Sequence, residues 1–257
     1  MTAGIITNRD KDPASSYTAQ ICDFLMKQGV CISQNGSTSD ENFLTDADFW
    51  VVLGGDGTML HWSHIAAIHD IPLLGINLGT LGFLTDADKQ DGLEALAKIL
   101  AGEYETENRL MLEISSGLLA LNDVYVDAIS GLKTFDLYVN DSFLDTIRAD
   151  GIIVATPTGS TAYNLSAGGP LLMPGSQMMV ITPVCPHSLS TRPLVINAED
   201  VVTIVTHQPS SVSIDGEMVS ETRPKERVII RKSAYNAKII KTSQSHLYDV
   251  LRKKKLI

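Results

Sequence analysis

Two rhythms of apolar residues run through the first hundred positions. Residues 4–7, 49–53 and 73–77 are short apolar runs of the kind that form buried strands. Between and after them the spacing changes to threes and fours. Tyr17, Ile21, Phe24, Leu25 and Gln28 mark one helix, residues 59–68 a second, and Leu93, Leu96, Ala97 and Leu100 a third. Asp12 stands before Pro13, which predicts an N-cap with proline at the first helical position, and Gly29 and Gly102 are placed to end their helices. Strands alternating with helices imply a parallel sheet flanked by helices.

Past about residue 103 the pattern becomes strands separated by turns. Phe135, Leu137 and Val139 alternate ahead of Asn140-Asp141-Ser142, a hairpin signal, and 201–205, 211–214 and 227–231 are further short β-like runs. The expected fold class is therefore an α/β N-terminal domain, a parallel sheet flanked by helices, followed by a mostly-β C-terminal domain. The boundary is expected near Gly102, giving domains at 1–102 and 103–239.

Composition narrows the class of protein. Of the 257 residues, 44% are hydrophobic and 19% charged, enough apolar material for a sizeable core and too little charge for a disordered chain. Lys plus Arg number 20 against 30 Asp plus Glu, a formal net charge of −10, the opposite of a general nucleic-acid binder. A polyanionic partner must therefore meet a local site. The basic cluster Lys253, Lys254 and Lys255 reads as a solvated terminus. Cys22, Cys31 and Cys185 form no CxxC pair, and Cys31 and Cys185 read as small core residues. MTAGIITNRD does not read as a signal peptide, and no apolar run approaches the roughly 20 residues of a membrane span. A soluble cytoplasmic protein with no membrane partner is the starting expectation.

Candidate chemistry begins at Gly54, Gly55, Asp56, Gly57 and Thr58, between an apolar strand and a helix. Glycines let main-chain N–H groups approach a ligand, and at a helix N-terminus such a loop suits phosphate. It has no lysine, so it is not a Walker A loop, and its spacing is not GxGxxG. Asp56 is the odd member, since a carboxylate repels phosphate. It makes sense as the acceptor of a proton from an attacking hydroxyl, as a helper to a metal, or simply as a capping residue of a tight turn.

A second signal is the stretch 149–170. An apolar strand at 152–155 leads to the turn Thr156-Pro157-Thr158-Gly159, after which Ser160 or Thr161 is placed to cap a helix ending at Gly168-Gly169. Thr156, Thr158, Ser160 and Thr161 crowd that expected, exposed helix start with hydroxyls that suit an anionic or nucleotide ligand. Tyr163 adds a ring able to stack on a base or to pack. Ser160 is not in a GxSxG elbow. A third signal, Asn122-Asp123 after the apolar run 118–121, has the polar groups to hold a vicinal diol, or to form an ordinary turn. His61, His64 and His69 lack HExxH spacing and read as helix-surface or core histidines, and no protein metal site is expected.

Taken together, these motifs resemble the ATP-NAD kinase family. The segments that carry the resemblance are GGDGTML from Gly54, GINLGTLGFLTD from Gly75, LNDV from Leu121, DGIIVATPTGSTAYNLSAGGP from Asp150 and PHSLSTRPLVI from Pro186. GGDGT alone is shared with diacylglycerol and sphingosine kinases, whereas TPTGSTAYN narrows the choice to NAD kinases. The resemblance implies that Mg-ATP donates its terminal phosphoryl group to the 2′-hydroxyl of the adenosine ribose of NAD, yielding NADP. Mg²⁺ or another divalent cation would arrive with ATP. It also implies that the C-terminal segment, about 240–257, returns to the first domain, and that the chain forms a homodimer or homotetramer.

Carried over by motif, Asp56 would act on the ribose hydroxyl, and Gly54, Gly55, Gly57 and Thr58 would bind ATP phosphate, Gly57 also meeting NAD. Asn122 and Asp123 would hold a ribose. Phe83 and Leu84 would line the dinucleotide pocket, and Asp150 would contact the nucleotide. Thr158, Thr161, Ala162 and Tyr163 would border the adenine and nicotinamide ends. The family usually has Glu where this chain has Asp123, one methylene shorter, so either the backbone sits closer or a water bridges. Arg148, Arg192 and Arg223 are candidates for the triphosphate by residue type only. The rivals are a lipid kinase sharing the GGDGT loop and a dinucleotide sensor without catalysis. An oxidoreductase is disfavoured because residues 4–12 contain a single glycine.

Overall fold

The computed structural model describes residues 1–37, 46–79, 82–128, 133–188, 190–242 and 247–254. Thr80, Leu81, Leu189 and Lys255, members of stretches singled out above, lie outside the described residues. The chain divides into two units, Met1–Asn108 with Ala237–Ile257, and Arg109–Asn236.

The first unit is built on parallel strands. β1 (Thr2–Thr7) lies between β2 (Cys31–Ser37) and β3 (Phe49–Gly54), and β4 (Leu73–Asn77) continues the sheet with the short β5 (Ala87–Asp88) on its far side. All of these pairings are parallel. The residues of β3 and β4 are all buried, so these strands carry solid apolar runs. Helix α1 (Ser16–Lys27) and helix α3 (Gly92–Ala101) pack Tyr17, Ile21, Leu25, Leu96 and Ile99 against Ile5, Val51, Leu53 and Ile76. Helix α2 (Asp56–Ile68) takes the other face: Trp62 meets Trp50 edge to face with ring centroids 5.8 Å apart, and Trp50 alternates with Val51 across the sheet.

Three predicted boundaries shift. Helix α1 begins at Ser16, not after Asp12, yet Asp12 still serves it. Its carboxylate accepts from Thr18 N at 2.9 Å, Thr18 Oγ1 at 2.7 Å and Tyr17 N at 3.4 Å. Helix α2 begins at Asp56, so half of the glycine loop is the first turn of a helix. The run 227–231 is only the start of β17 (Arg227–Lys241). The expected helix ends hold: Gly29 and Gly102 both have φ of +76°.

The second unit is a β-sandwich. Here β6 (Glu105–Ile114) runs in from the first unit and is followed by β7 (Leu119–Ala120), β8 (Asp123–Ala128), β9 (Lys133–Val139), β10 (Ser142–Ala149) and β11 (Gly151–Ala155). After a short helical stretch, in which α4 (Tyr163–Ser166) is a single turn, come β12 (Met178–Val184), β13 (Leu194–Asn197), β14 (Val202–Thr206), β15 (Ser210–Ile214) and β16 (Glu217–Thr222). One sheet has the antiparallel order β13-β12-β11-β8-β15-β16, and the other sets β10, β9 and β14 beside the start of β17. Val124, Val126, Ile152, Val154 and Ile181 of one sheet share a core with Phe135, Leu137, Val202, Ile204 and Ile230 of the other. The predicted hairpin closes through Asn140 and Asp141 at φ of 51° and 62°, the two left-handed residues of a type I′ turn.

From Ala237 the chain is again part of the first unit, where Ile239 pairs with Leu73 of β4 and α5 (Leu247–Lys253) follows. Thr242 donates to buried Asp86 through both its N (2.8 Å) and Oγ1 (2.7 Å), and Lys241 Nζ lies 3.7 Å from the same carboxylate. Cys31 and Cys185 are exposed, not core residues as expected. Cys31 opens β2 directly after a helix-to-strand turn, and Cys185 follows the end of β12 at φ 47°. Both occupy element ends that face water. No helix among the described residues is long and apolar enough to cross a membrane.

Candidate functional site

In the first unit, the C-terminal ends of β1, β3 and β4 lie side by side, because Thr7 pairs with Leu53 and Gly54 with Asn77. The loops leaving them share one edge of the parallel sheet, the carboxyl edge where open α/β folds place ligands. Main-chain bonds lace that edge: Asn8 N donates to Leu53 O and Leu78 N to Gly54 O, each at 2.9 Å.

Asp56 sits here, half-buried in the first turn of α2 after the extended Gly55. Its carboxylate accepts from Phe83 N at 2.8 Å and Leu84 N at 2.9 Å. The helix dipole also favours a negative charge at this end. Gly82 is required for the grip, since a Cβ there would fall 1.9 Å from Asp56 Oδ1. A carboxylate offers about four acceptor positions, so two backbone bonds fix Asp56 and leave capacity for a ligand hydroxyl. Phe83 is half-buried with Lys254 Nζ 5.0 Å from its ring centroid, while Leu84 is buried. Thr58 is buried and its hydroxyl accepts from Asn8 Nδ2 at 3.2 Å, joining two of the loops.

Lys11 was missed by the sequence reading. A Cβ built on Gly55 would lie 2.7 Å from its Nζ, and one on Gly79 3.8 Å from it, so the ammonium group stands over the glycine loop. The motif has no lysine of its own, and one arrives from the neighbouring parallel strand's loop. The available signal was the polar stretch NRDK directly after a parallel strand.

In the second unit, Asn122 and Asp123 lead into β8. Asp215, at the β15–β16 turn, accepts from the N–H groups of Leu121 (2.8 Å), Asn122 (2.7 Å) and Asp123 (2.9 Å), and donates its own N–H to Asp123 O at 3.0 Å. Asp123 is buried, and burial together with the charge of Asp215 pushes its carboxyl up to about 7 from an ordinary 3.8. Thr156 binds the same segment from β11, with Oγ1 donating to Leu121 O at 2.6 Å and N donating to Asn122 O at 2.9 Å. Gly159 approaches so closely that a Cβ would lie 1.9 Å from Asn122 O. The structure thus brings Asn122, Asp123, Thr156 and Gly159 together and adds Asp215, which sequence reasoning did not single out.

The hydroxyl-rich stretch differs from expectation. Thr156, Thr158 and Ser160 are buried, and the helix is a 3-10 turn (Gly159–Thr161) followed by the single turn α4. Ser160 Oγ bonds to Pro157 O at 2.7 Å and accepts from Leu172 N at 3.0 Å, while Thr161 Oγ1 donates to Thr158 O at 3.0 Å. Such local bonds compete with a continuous helix. They turn most of these hydroxyls into scaffold. Thr158 Oγ1 meets the buried Arg109 Nη1 at 3.4 Å. Thr161 and Ala162 stay half-buried and Tyr163 exposed, its ring edge to face with Tyr125 at 5.2 Å. Asp150 is not brought to this group. It precedes β11 at Gly151, whereas Thr156 follows the strand's other end at Ala155. That places them roughly 20 Å apart along the strand.

An α/β unit with a gripped carboxylate beside a glycine loop, and a β-sandwich carrying an amide–carboxylate pair, define a kinase-type phosphotransferase of two domains. Residues 38–104 match the profile of the ATP-NAD kinase N-terminal domain and residues 121–242 that of the ATP-NAD kinase C-terminal domain. The chain belongs to the ATP-NAD kinase family. It is 36% identical to an NAD kinase of Caldanaerobacter subterraneus subsp. tengcongensis, over 98% of this chain and 97% of that one. Identity to an NAD kinase of Lachnospira eligens is 37%, covering 97% and 98%. Among solved structures, an NAD kinase from Archaeoglobus fulgidus in complex with ATP superposes with a TM-score of 0.84 at 27% identity, both chains fully covered. Yeast NADH kinase complexed with NADH shares the fold, with a TM-score of 0.83 at 23% identity over 98% of this chain and 86% of that one.

Proposed function

We propose that, within its NAD kinase activity, Asp56 is the group that accepts the proton of the NAD ribose hydroxyl. The adenosine ribose 2′-oxygen forms the new bond to the terminal phosphorus of Mg-ATP, the bond to the bridging oxygen of ADP breaks, and NADP and ADP leave. The supporting observation is the placement of Asp56, fixed by Phe83 N and Leu84 N in the first turn of α2 with acceptor capacity left over. Phosphoryl transfer depends chiefly on positioning and charge neutralisation, which a glycine loop, a lysine and one fixed carboxylate supply.

In this reading Gly54, Gly55, Gly57, Thr58 and Lys11 meet the phosphates, and Phe83 and Leu84 border the dinucleotide. Asn122 and Asp123 hold a ribose, and Thr158, Thr161, Ala162 and Tyr163 meet the bases. Asp150 remains a candidate nucleotide contact by family likeness alone. The divalent cation belongs to the substrate Mg-ATP, where phosphate oxygens and water fill much of its coordination. We further read the enzyme as cytoplasmic and as a homodimer or homotetramer.

The test is NADP formation from Mg-ATP and NAD by the wild type and by Asp56→Asn. Loss of a general base slows turnover about 10²–10⁴-fold. Near-wild-type turnover in the variant removes Asp56 from the role.

A further inference from the structure

A hairpin turn normally satisfies only itself. The turn between β15 and β16 does more. Asp215 and Gly216, at φ 52° and 89°, form the two left-handed residues of a type I′ connection, and Asp-Gly is well suited to that conformation. Conformation alone therefore explains why a short polar residue stands at 215. It does not explain where the carboxylate points. Both oxygens are turned onto another segment, where one accepts from Leu121 N at 2.8 Å and the other is shared by Asn122 N at 2.7 Å and Asp123 N at 2.9 Å.

Three successive N–H groups on one carboxylate fix the backbone over three residues, and the N–H of Asp215 returning to Asp123 O closes the arrangement. The site also has a cost. It places the Asp215 carboxylate against the buried carboxyl of Asp123, a repulsion that a purely structural anchor would avoid with a neutral acceptor.

We infer that Asp215 is a positioning residue for the ribose-binding pair, aiming Asn122 and Asp123 at the vicinal hydroxyls of the dinucleotide through their backbone. The inference rests on the reading of Asn122 and Asp123 as ribose ligands. Asp215 itself touches no substrate in this scheme. Thr156 holds the same segment through the carbonyls of Leu121 and Asn122, with Gly159 packed closely against Asn122 O, so Asp215 supplies the complementary grip on the amides.

Two substitutions separate this role from turn formation. Asp215→Asn keeps the left-handed turn, since Asn-Gly is also a preferred type I′ pair, but leaves one acceptor oxygen and turns an NH₂ group toward backbone donors. Asp215→Gly keeps the turn and removes both acceptors. NAD and ATP affinities are measured by calorimetry on the full chain, with thermal midpoints alongside. The expected result is NAD binding weakened roughly tenfold or more in the Asn variant and further in the Gly variant, with ATP affinity unchanged. If the Gly variant does not fold, the Asn variant carries the test. Lower thermal midpoints with wild-type NAD affinity would reduce Asp215 to a turn residue and overturn the inference. A wild-type chain that binds no NAD would overturn the ribose reading itself, and this inference with it.

Discussion

Asp123 brings a carboxyl group to a place where burial and the Asp215 charge both oppose its ionisation. The sign of the resulting pH dependence follows from its raised value of about 7 against 3.8 for the unfolded chain. Between those values the folded state binds the extra proton, so the stability this group contributes is full below about pH 4. It is lost as pH rises toward 7. Asp123→Asn, neutral throughout, should therefore gain on the wild type as pH is raised across that window. Thermal midpoints of both proteins between pH 4 and 8 check this, and parallel curves would return Asp123 to an ordinary carboxylate. Lys11 makes the second prediction at this scale. With its ammonium group over the glycine loop, Lys11→Ala should raise the KM for ATP roughly tenfold or more, the range for a lost bond to a charged group, and leave the KM for NAD near its wild-type value. Steady-state kinetics with each substrate varied in turn decides it; an unchanged ATP dependence would make Lys11 a solvated loop residue.

Helix α1 shows what patterns predict well and poorly. Its apolar stripe and its end at Gly29 follow from spacing and backbone chemistry, and both are observed. Its start does not. Asp12 caps from four residues upstream of Ser16, across a turned segment, accepting from Thr18 and Tyr17. Burial works to raise the Asp12 carboxyl, but these hydrogen bonds prevail and hold it below the ordinary carboxylate range. Asp12→Ala should cost about 0.5–2 kcal/mol, the usual worth of a cap, measured by urea unfolding. A variant as stable as the wild type would show that Thr18 and Tyr17 find other partners. The stretch 156–166 failed for a related reason. Ser160 and Thr161 look like caps of a longer helix, but their hydroxyls bond back to Pro157 and Thr158 and hold a 3-10 turn with α4 behind it.

Across the whole molecule, the change of rhythm near residue 103 made the fold class legible, because a period of two and a period near 3.6 demand different packing. The glycine loop and the Asn122-Asp123 pair were legible too, since their chemistry is local. Lys11 and Asp215 were not, because their meaning comes from contacts the chain makes only when folded. Asp215 stands 94 residues from Leu121, and nothing in the sequence SIDGE reports which amides it will reach. The division of the chain also fixes an order in time. The β-sandwich is contiguous from Arg109 to Asn236, whereas the first unit is made of both ends of the chain. Synthesis proceeds at about 5–20 residues per second, N-terminus first. The sandwich is thus fully supplied with residues while the α/β unit still lacks its last parallel strand and the Thr242 anchor on Asp86. In chain order, the unit that begins the chain receives its closing strand segment and its Thr242 anchor only after every residue of the sandwich has been made.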